Sequence, residues 1–286
     1  MLKARVNDYQ LNYVESGNGD FLVFVHGSAS DYRTWEIQME EFGKYYHTIS
    51  YSRRFHFPNE QISDTDDYSM MQHVDDLETL LKFLSNKPVH LVGHSYGAFI
   101  CLLLAIKNPR LVRTLVLAEP PVITLYVSNT PKPLELIKLL FSKPKIALAI
   151  IEFGIKGIEP AKAAFEQNNV KKALDIFGKA TLGVDTYLNL SSARHQQAFD
   201  NLIKAELLGT GFPTLDKEKI QNINLPILLI SAQNSRRLFH YLMDELQYLL
   251  PHAERIIIPD ASHIMHEDNA TNYNSAVLSF LKQNGG

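Results

Sequence analysis

The chain has 286 residues, 45% of them hydrophobic, which suits one sizeable α/β domain with a large core and argues against disorder. A formal charge of −3 supplies no broad basic field, so nucleic acid is not expected as a partner. The single cysteine, Cys101, excludes an intramolecular disulfide and a cysteine-rich metal site. Its place in an apolar helical stretch suits a small buried side chain.

At the N-terminus, residues 1–8 carry no apolar signal-peptide core, and no run in the chain reaches the roughly 18 uninterrupted apolar residues of a membrane span. The expectation is a cytoplasmic protein without membrane insertion. Residues 5–14 alternate polar and apolar side chains, as in an antiparallel strand at a sheet edge. Strand-length apolar runs then recur at 21–25, 48–51, 89–92, 114–118, 227–230 and 255–258. Most lack a period of two, which suits strands of a parallel sheet covered on both faces. Helical spacing lies between and after them, at 35–42, 70–84, 99–107, 238–250 and 270–281. This alternation predicts a mostly parallel, doubly wound α/β sheet.

The alternation stops between Pro120 and Asn224, where only helical patterns follow one another, at 134–153, 160–183 and 184–208. Prolines bound this stretch: Pro120, Pro121, Pro131 and Pro133 where it begins and Pro226 where it returns. The organisation read from this is a core of residues 1–121 and 224–286 with a helical cap of residues 122–223. The cap would cover the carboxyl ends of the strands, the edge at which such sheets bind ligands.

The chemistry-bearing segments sit at strand ends. Residues 89–100 form an apolar run that breaks into Gly93-His94-Ser95-Tyr96-Gly97 and resumes as a helical pattern. Gly-x-Ser-x-Gly between a strand and a helix reads as a nucleophile elbow, a sharp turn that presents the serine hydroxyl at a helix N-terminus. The backbone N–H of Tyr96 would then point at the oxyanion formed when Ser95 attacks a carbonyl. His263 lies in a loop just past the last apolar strand and is the candidate general base. His266, three residues on, forms no convincing metal site with it, because no third ligand is apparent. The run Val25-His26-Gly27-Ser28 ends another strand, and the Ser28 N–H is the candidate second oxyanion donor.

Taken together, His26-Gly27 after an early strand, Gly93-His94-Ser95-Tyr96-Gly97, a helical insertion and Asp260-Ala261-Ser262-His263 near the end resemble the α/β-hydrolase family over nearly the whole chain. The segments Asp31-Tyr32-Arg33-Thr34-Trp35 and Tyr51-Ser52-Arg53-Arg54 look like the capped branch that includes haloalkane dehalogenases, epoxide hydrolases and small bacterial esterases. In the first two an Asp stands at the nucleophile position; Ser95 here points to esterase-like chemistry. The resemblance implies a catalytic acid soon after the strand that follows the cap, typically as Gly-x-x-Asp. This chain instead reads Ser231-Ala232-Gln233-Asn234-Ser235, without a carboxylate. Glu119 closes the strand after the elbow helix, ahead of two prolines, and resembles the glutamate that some haloalkane dehalogenases and lactone hydrolases use from that position. It is the expected acid; Asp260 is the main competitor, and Asp244, inside a helical segment, a weaker one.

The expected activity is hydrolysis of a carboxylic ester of a small, fairly apolar substrate by Ser95, His263 and Glu119, without a cofactor. Trp35 and Tyr126 are expected to line the substrate pocket. Two alternatives stand beside it: a lactonase or carbon–carbon bond hydrolase with the same residues, and a ligand receptor on a hydrolase scaffold that does not turn over.

Overall fold

The structure, a computed structural model, describes residues 1–62, 68–201, 204–209 and 211–284. Eight strands form one sheet: β1 (Leu2–Val6), β2 (Tyr9–Ser16), β3 (Phe21–Val25), β4 (His47–Tyr51), β5 (Val89–His94), β6 (Val112–Ala118), β7 (Ile227–Ala232) and β8 (Glu254–Ile258). They lie in the order β1-β2-β4-β3-β5-β6-β7-β8. All pairings from β4 to β8 are parallel, whereas β1 with β2 and β2 with β4 are antiparallel.

The apolar runs without alternation are explained by two cores. Val23 and Val25 of β3, Leu91 of β5 and Leu115 and Leu117 of β6 pack on one face with α2 (Met70–Leu84) and α3 (Tyr96–Lys107). Leu22, Phe24, Val92 and Val116 pack on the other with α1 (Glu36–Phe42) and with Tyr273 and Phe280 near the C-terminus. Adjacent residues of a strand point to opposite faces, so a strand covered twice needs apolar side chains at every position. The expected parallel α/β sheet is therefore present.

Between β6 and β7 the described residues hold no strand. The described residues there form α4 (Pro133–Ser142), α5 (Pro144–Phe153), α6 (Glu159–Glu166), α7 (Val170–Leu182), α8 (Val184–Leu188), α9 (Ser192–Asp200) and α10 (Lys204–Leu208). The short α11 (Lys217–Gln221) leads into β7, and α12 (Arg237–Leu249), α13 (Met265–Asp268) and α14 (Ala270–Asn284) complete the chain. No helix among the described residues is long and apolar enough to cross a membrane.

Sequence expectations need correction at four stretches, of which 160–183 divides into α6 and α7 and 184–208 into α8, α9 and α10. The single edge strand over 5–14 is a hairpin, β1 and β2, turned at Asn7, whose φ of 49° is a left-handed conformation that asparagine tolerates. The helix expected over 134–153 is two, because Pro144 has no N–H for the ladder and starts α5 at its first position.

The chain passes from β3 outward to β4 and then crosses back beyond β3 to β5. A crevice opens at the carboxyl ends where the direction of winding reverses, which is where open α/β sheets take ligands. The ends of β3 and β5 flank it, bringing residues 26–28 beside Ser95.

Candidate active site

Ser95 sits between the end of β5 and the start of α3 with φ 50° and ψ −120°. That left-handed conformation is strained for a residue with a Cβ. It persists because both flanks are fixed: the Ser95 N–H donates to the Ala118 carbonyl at 2.8 Å, and the Ser95 carbonyl accepts from Phe99 N at 3.1 Å. The glycines on either side let the backbones come this close. A Cβ at Gly93 would lie 2.6 Å from Ala98 Cα, and one at Gly97 would collide with the carbonyl oxygens of Val25 and His26. Tyr96 is the first residue of α3, where a backbone N–H has no partner within the helix. The positive end of the helix dipole is added to it.

His263 and Glu119 are brought together. His263 Nδ1 lies 2.6 Å from Glu119 Oε2, with both side chains buried. Glu119 has φ 46° at the end of β6, is fully buried, and is held from two further sides. Its Oε1 accepts the Ala232 N–H at 2.9 Å and its Oε2 accepts the Ser235 hydroxyl at 2.7 Å. Glu119 thus reaches across to the segment after β7 that carries no carboxylate of its own. An ionised carboxylate only accepts, so His263 carries its proton on Nδ1 and leaves Nε2 bare. That Nε2 is buried without a hydrogen-bond partner. Ser95 and His263 border the same small cavity of about 60 Å³.

Three contacts orient the imidazole. Phe239 stacks on its face at 3.9 Å between centroids. His94 Nε2 lies 2.7 Å from the His263 carbonyl and so donates to it. The loop behind is tied by Ser262, whose N–H and hydroxyl both donate to Asp268. Asp260 is an exposed turn residue with φ 51°, and its backbone N–H, not its carboxylate, is engaged, by Gln233. Asp244 pairs with Arg255 at the surface. Neither is seen against His263. His266 turns instead to Thr34 Oγ1 at 2.9 Å.

A larger cavity of about 460 Å³ opens from Ser95, Ser28 and Tyr96 under the helical insertion, with Phe153, Phe212 and Phe239 on its apolar side and Glu206 on its polar side. The two residues expected to line a pocket border neither cavity. Trp35 is fully buried between Phe24, at 5.0 Å, and His266, at 4.4 Å, because the turn before α1 rotates its indole into the core. Tyr126 donates its hydroxyl to Glu245 at 3.0 Å and lies beneath Lys143, so its ring joins α12 to the start of α5. Phe239, Phe212 and Glu206 were not singled out from the sequence. Each reaches the site through contacts between distant segments, and no local spacing marks them.

The surroundings are rich in neutral histidine. Burial pushes His266 and His90 down to about 4, and pushes His26, His73 and His94 well below the ordinary imidazole value. These groups are neutral when folded but bind a proton near pH 6.5 when unfolded. Their contribution to stability is complete above about pH 6.5 and is withdrawn as the pH falls toward 4, by about 3 kcal/mol for His266. Thermal midpoints are therefore expected to fall steadily from pH 7 to pH 5, above the range in which carboxylates protonate. A midpoint unchanged over that interval would contradict it.

Comparison with known proteins agrees with this architecture. The family model for the alpha/beta hydrolase fold matches residues 20–270. The chain belongs to the α/β-hydrolase fold family. It is 24% identical over 302 aligned positions to Epoxide hydrolase 3 of Xenopus tropicalis, covering 99% of this chain and 77% of that protein. An uncharacterised hydrolase of Bacillus subtilis is 30% identical over 125 residues, which span 44% of this chain and 46% of the relative. Among solved structures, a thermophilic esterase from Thermogutta terrifontis superposes with a TM-score of 0.76 at 17% identity, covering 99% of this chain and 98% of the esterase.

Proposed function

We propose that the protein is a serine hydrolase that cleaves a carboxylic ester of a small substrate through an acyl-enzyme. The observation that carries this reading is the bare Nε2 of His263, held by a carboxylate on its other nitrogen and bordering the cavity that the strained Ser95 also borders. The Ser95 hydroxyl attacks the ester carbonyl while His263 Nε2 takes its proton. The negative oxygen of the tetrahedral intermediate lies between the backbone N–H groups of Tyr96 and Ser28. Collapse expels the alcohol, which receives the proton from His263, and leaves an ester on Ser95. Water, deprotonated by the same imidazole, then releases the acid and restores the serine. Glu119 keeps the histidine in the required tautomer and faces the imidazolium in both steps.

The insertion serves as a cap whose aromatic side chains form the apolar part of the pocket, while the core supplies the reacting groups. A nucleophilic serine distinguishes this chemistry from one that relies on an aspartate at the same turn. It also distinguishes a hydrolase from a receptor that keeps only the pocket. Treatment with a fluorophosphonate followed by peptide mass mapping is expected to find the label on Ser95, with parallel loss of p-nitrophenyl ester hydrolysis. Intact protein without label, or label elsewhere, would overturn the proposal. A panel that sets acyclic esters beside lactones divides the ester reading from the lactone reading, since both use the same steps.

A further inference from the structure

Arg53 is fully buried just behind the reacting groups, and the acyl-transfer steps do not use it. Its Nη2 donates to Glu206 Oε1 at 2.6 Å and to the Gly27 carbonyl at 3.0 Å, its Nε donates to the His26 carbonyl at 3.2 Å, and its guanidinium lies 4.5 Å over the Tyr96 ring. The other terminal nitrogen, Nη1, is buried with no hydrogen-bond partner. A guanidinium nitrogen without an acceptor is costly inside a protein, so the site has more donors than its present occupant uses.

That occupant is the carboxylate of Glu206, from α10. It also accepts from the Tyr68 hydroxyl at 3.4 Å, and the Ser28 side chain nearby helps to lower its carboxyl. His56 completes the surround, with its Nε2 3.3 Å from Glu206 Oε1 and 3.1 Å from Arg53 Nη2 and its Nδ1 against the Arg54 carbonyl. Burial works against the charge of Glu206, but the Arg53 guanidinium overrides it and holds its carboxyl well below the usual range. The core thus carries a carboxylate cradle built from Arg53, Tyr68 and Ser28. Glu206 and Ser28 line the same cavity as Ser95, and Arg53 lies behind Glu206. Glu206 reaches the cradle by a side chain with three rotatable bonds, whose rotation is the motion that would vacate it.

We propose that this cradle is a subsite for a substrate carboxylate, and that Glu206 is an internal stand-in which an incoming ligand displaces. An acyl chain with its ester carbonyl between Tyr96 and Ser28 and a second carboxylate on Arg53 is short, as in a half-ester of a small dicarboxylic acid. Two oxygens there can meet both terminal nitrogens of Arg53, the fork geometry that guanidinium offers a planar anion. Which end of the ligand faces Ser95 rests on the acyl-transfer reading; the cradle does not.

The test uses glutarate as the probe, with pentanamide as its uncharged control, in isothermal titration of the whole protein. Glu206→Ala is expected to bind glutarate at least tenfold more tightly than the wild type, with pentanamide unaffected, and Glu206→Gln to shift in the same direction. Adding Arg53→Lys to either variant is expected to erase the gain, and adding Tyr68→Phe, which removes only a hydroxyl, to reduce it several-fold. Equal affinity in wild type and Glu206 variants overturns the proposal. So does a gain that survives both the Arg53 and the Tyr68 change, because simple removal of repulsion would then explain it. Hydrolysis of monoethyl glutarate against ethyl pentanoate, followed by NMR, separates the two readings. Glutarate binding without hydrolysis of either ester removes the esterase and leaves the subsite, whereas turnover of ethyl pentanoate without glutarate binding does the reverse.

Discussion

Replacing Ser95 with alanine is expected to lower kcat for ester hydrolysis by about ten thousand- to a million-fold, the range found when the nucleophile of such a set is removed. The protein should remain folded, because the Ser95 side chain caps nothing in α3 and its backbone bonds to Ala118 and Phe99 do not involve the hydroxyl. The conformation adds a second expectation. At φ 50° a residue with a Cβ bears strain on the order of 1–3 kcal/mol, which alanine keeps and glycine relieves. Ser95→Gly should therefore be as inactive as Ser95→Ala and unfold at a temperature higher by a few degrees. Paired kinetic and calorimetric measurements check both halves. An alanine variant that still turned over ester at near the normal rate would remove Ser95 from the chemistry. A glycine variant of lowered midpoint would show that no strain is held at the turn.

Why these parts were readable while others were not follows from the range of the interactions. The elbow is local: an apolar strand, two glycines that must admit neighbouring backbone, and an apolar helix all lie within residues 89–107, so the pattern carries its own explanation. The two-sided sheet is equally local, since burial on both faces is written residue by residue as in Leu22-Val23-Phe24-Val25. The hairpin turn at Asn7 was hidden because a single extra polar residue, in the pair Asn7-Asp8, is all that interrupts the alternation around it. The aromatic residues failed for a different reason. Trp35 and Tyr126 lie close in sequence to motif residues, but the rotation of one short turn decides whether a ring faces the pocket or the core. Phe239 stacks on His263 from α12, and Glu206 meets Arg53 from α10, through contacts that exist only once the chain is folded. Glu119 lay between these cases. Its position at a strand end was visible, while its reach to Ala232 and Ser235 was not.

Replacing Glu119 with glutamine is expected to lower kcat by about a thousand- to ten thousand-fold with little change in KM. The carboxylate accepts three hydrogens, from Ala232 N, Ser235 Oγ and His263 Nδ1. A carboxamide keeps the shape but has one oxygen. If that oxygen stays on the Ala232 N–H, the amide nitrogen faces His263 and forces the imidazole into the tautomer with its proton on Nε2, which can no longer accept from serine. If the oxygen turns to His263, a buried amide N–H confronts Ala232 N–H, and the β7 end must shift. Either way the base is lost or displaced. The same geometry predicts a rescue. Ser235 Oγ lies 2.7 Å from the very oxygen that meets His263, so an aspartate at 235 projects its carboxylate into the space that Glu119 fills. Glu119→Ala combined with Ser235→Asp should recover at least tenfold in kcat over Glu119→Ala alone. Near-normal activity of Glu119→Gln would move the acid to another residue. A double variant no better than Glu119→Ala would show that a carboxylate at 235 does not reach the imidazole, and that only the strained end of β6 delivers one.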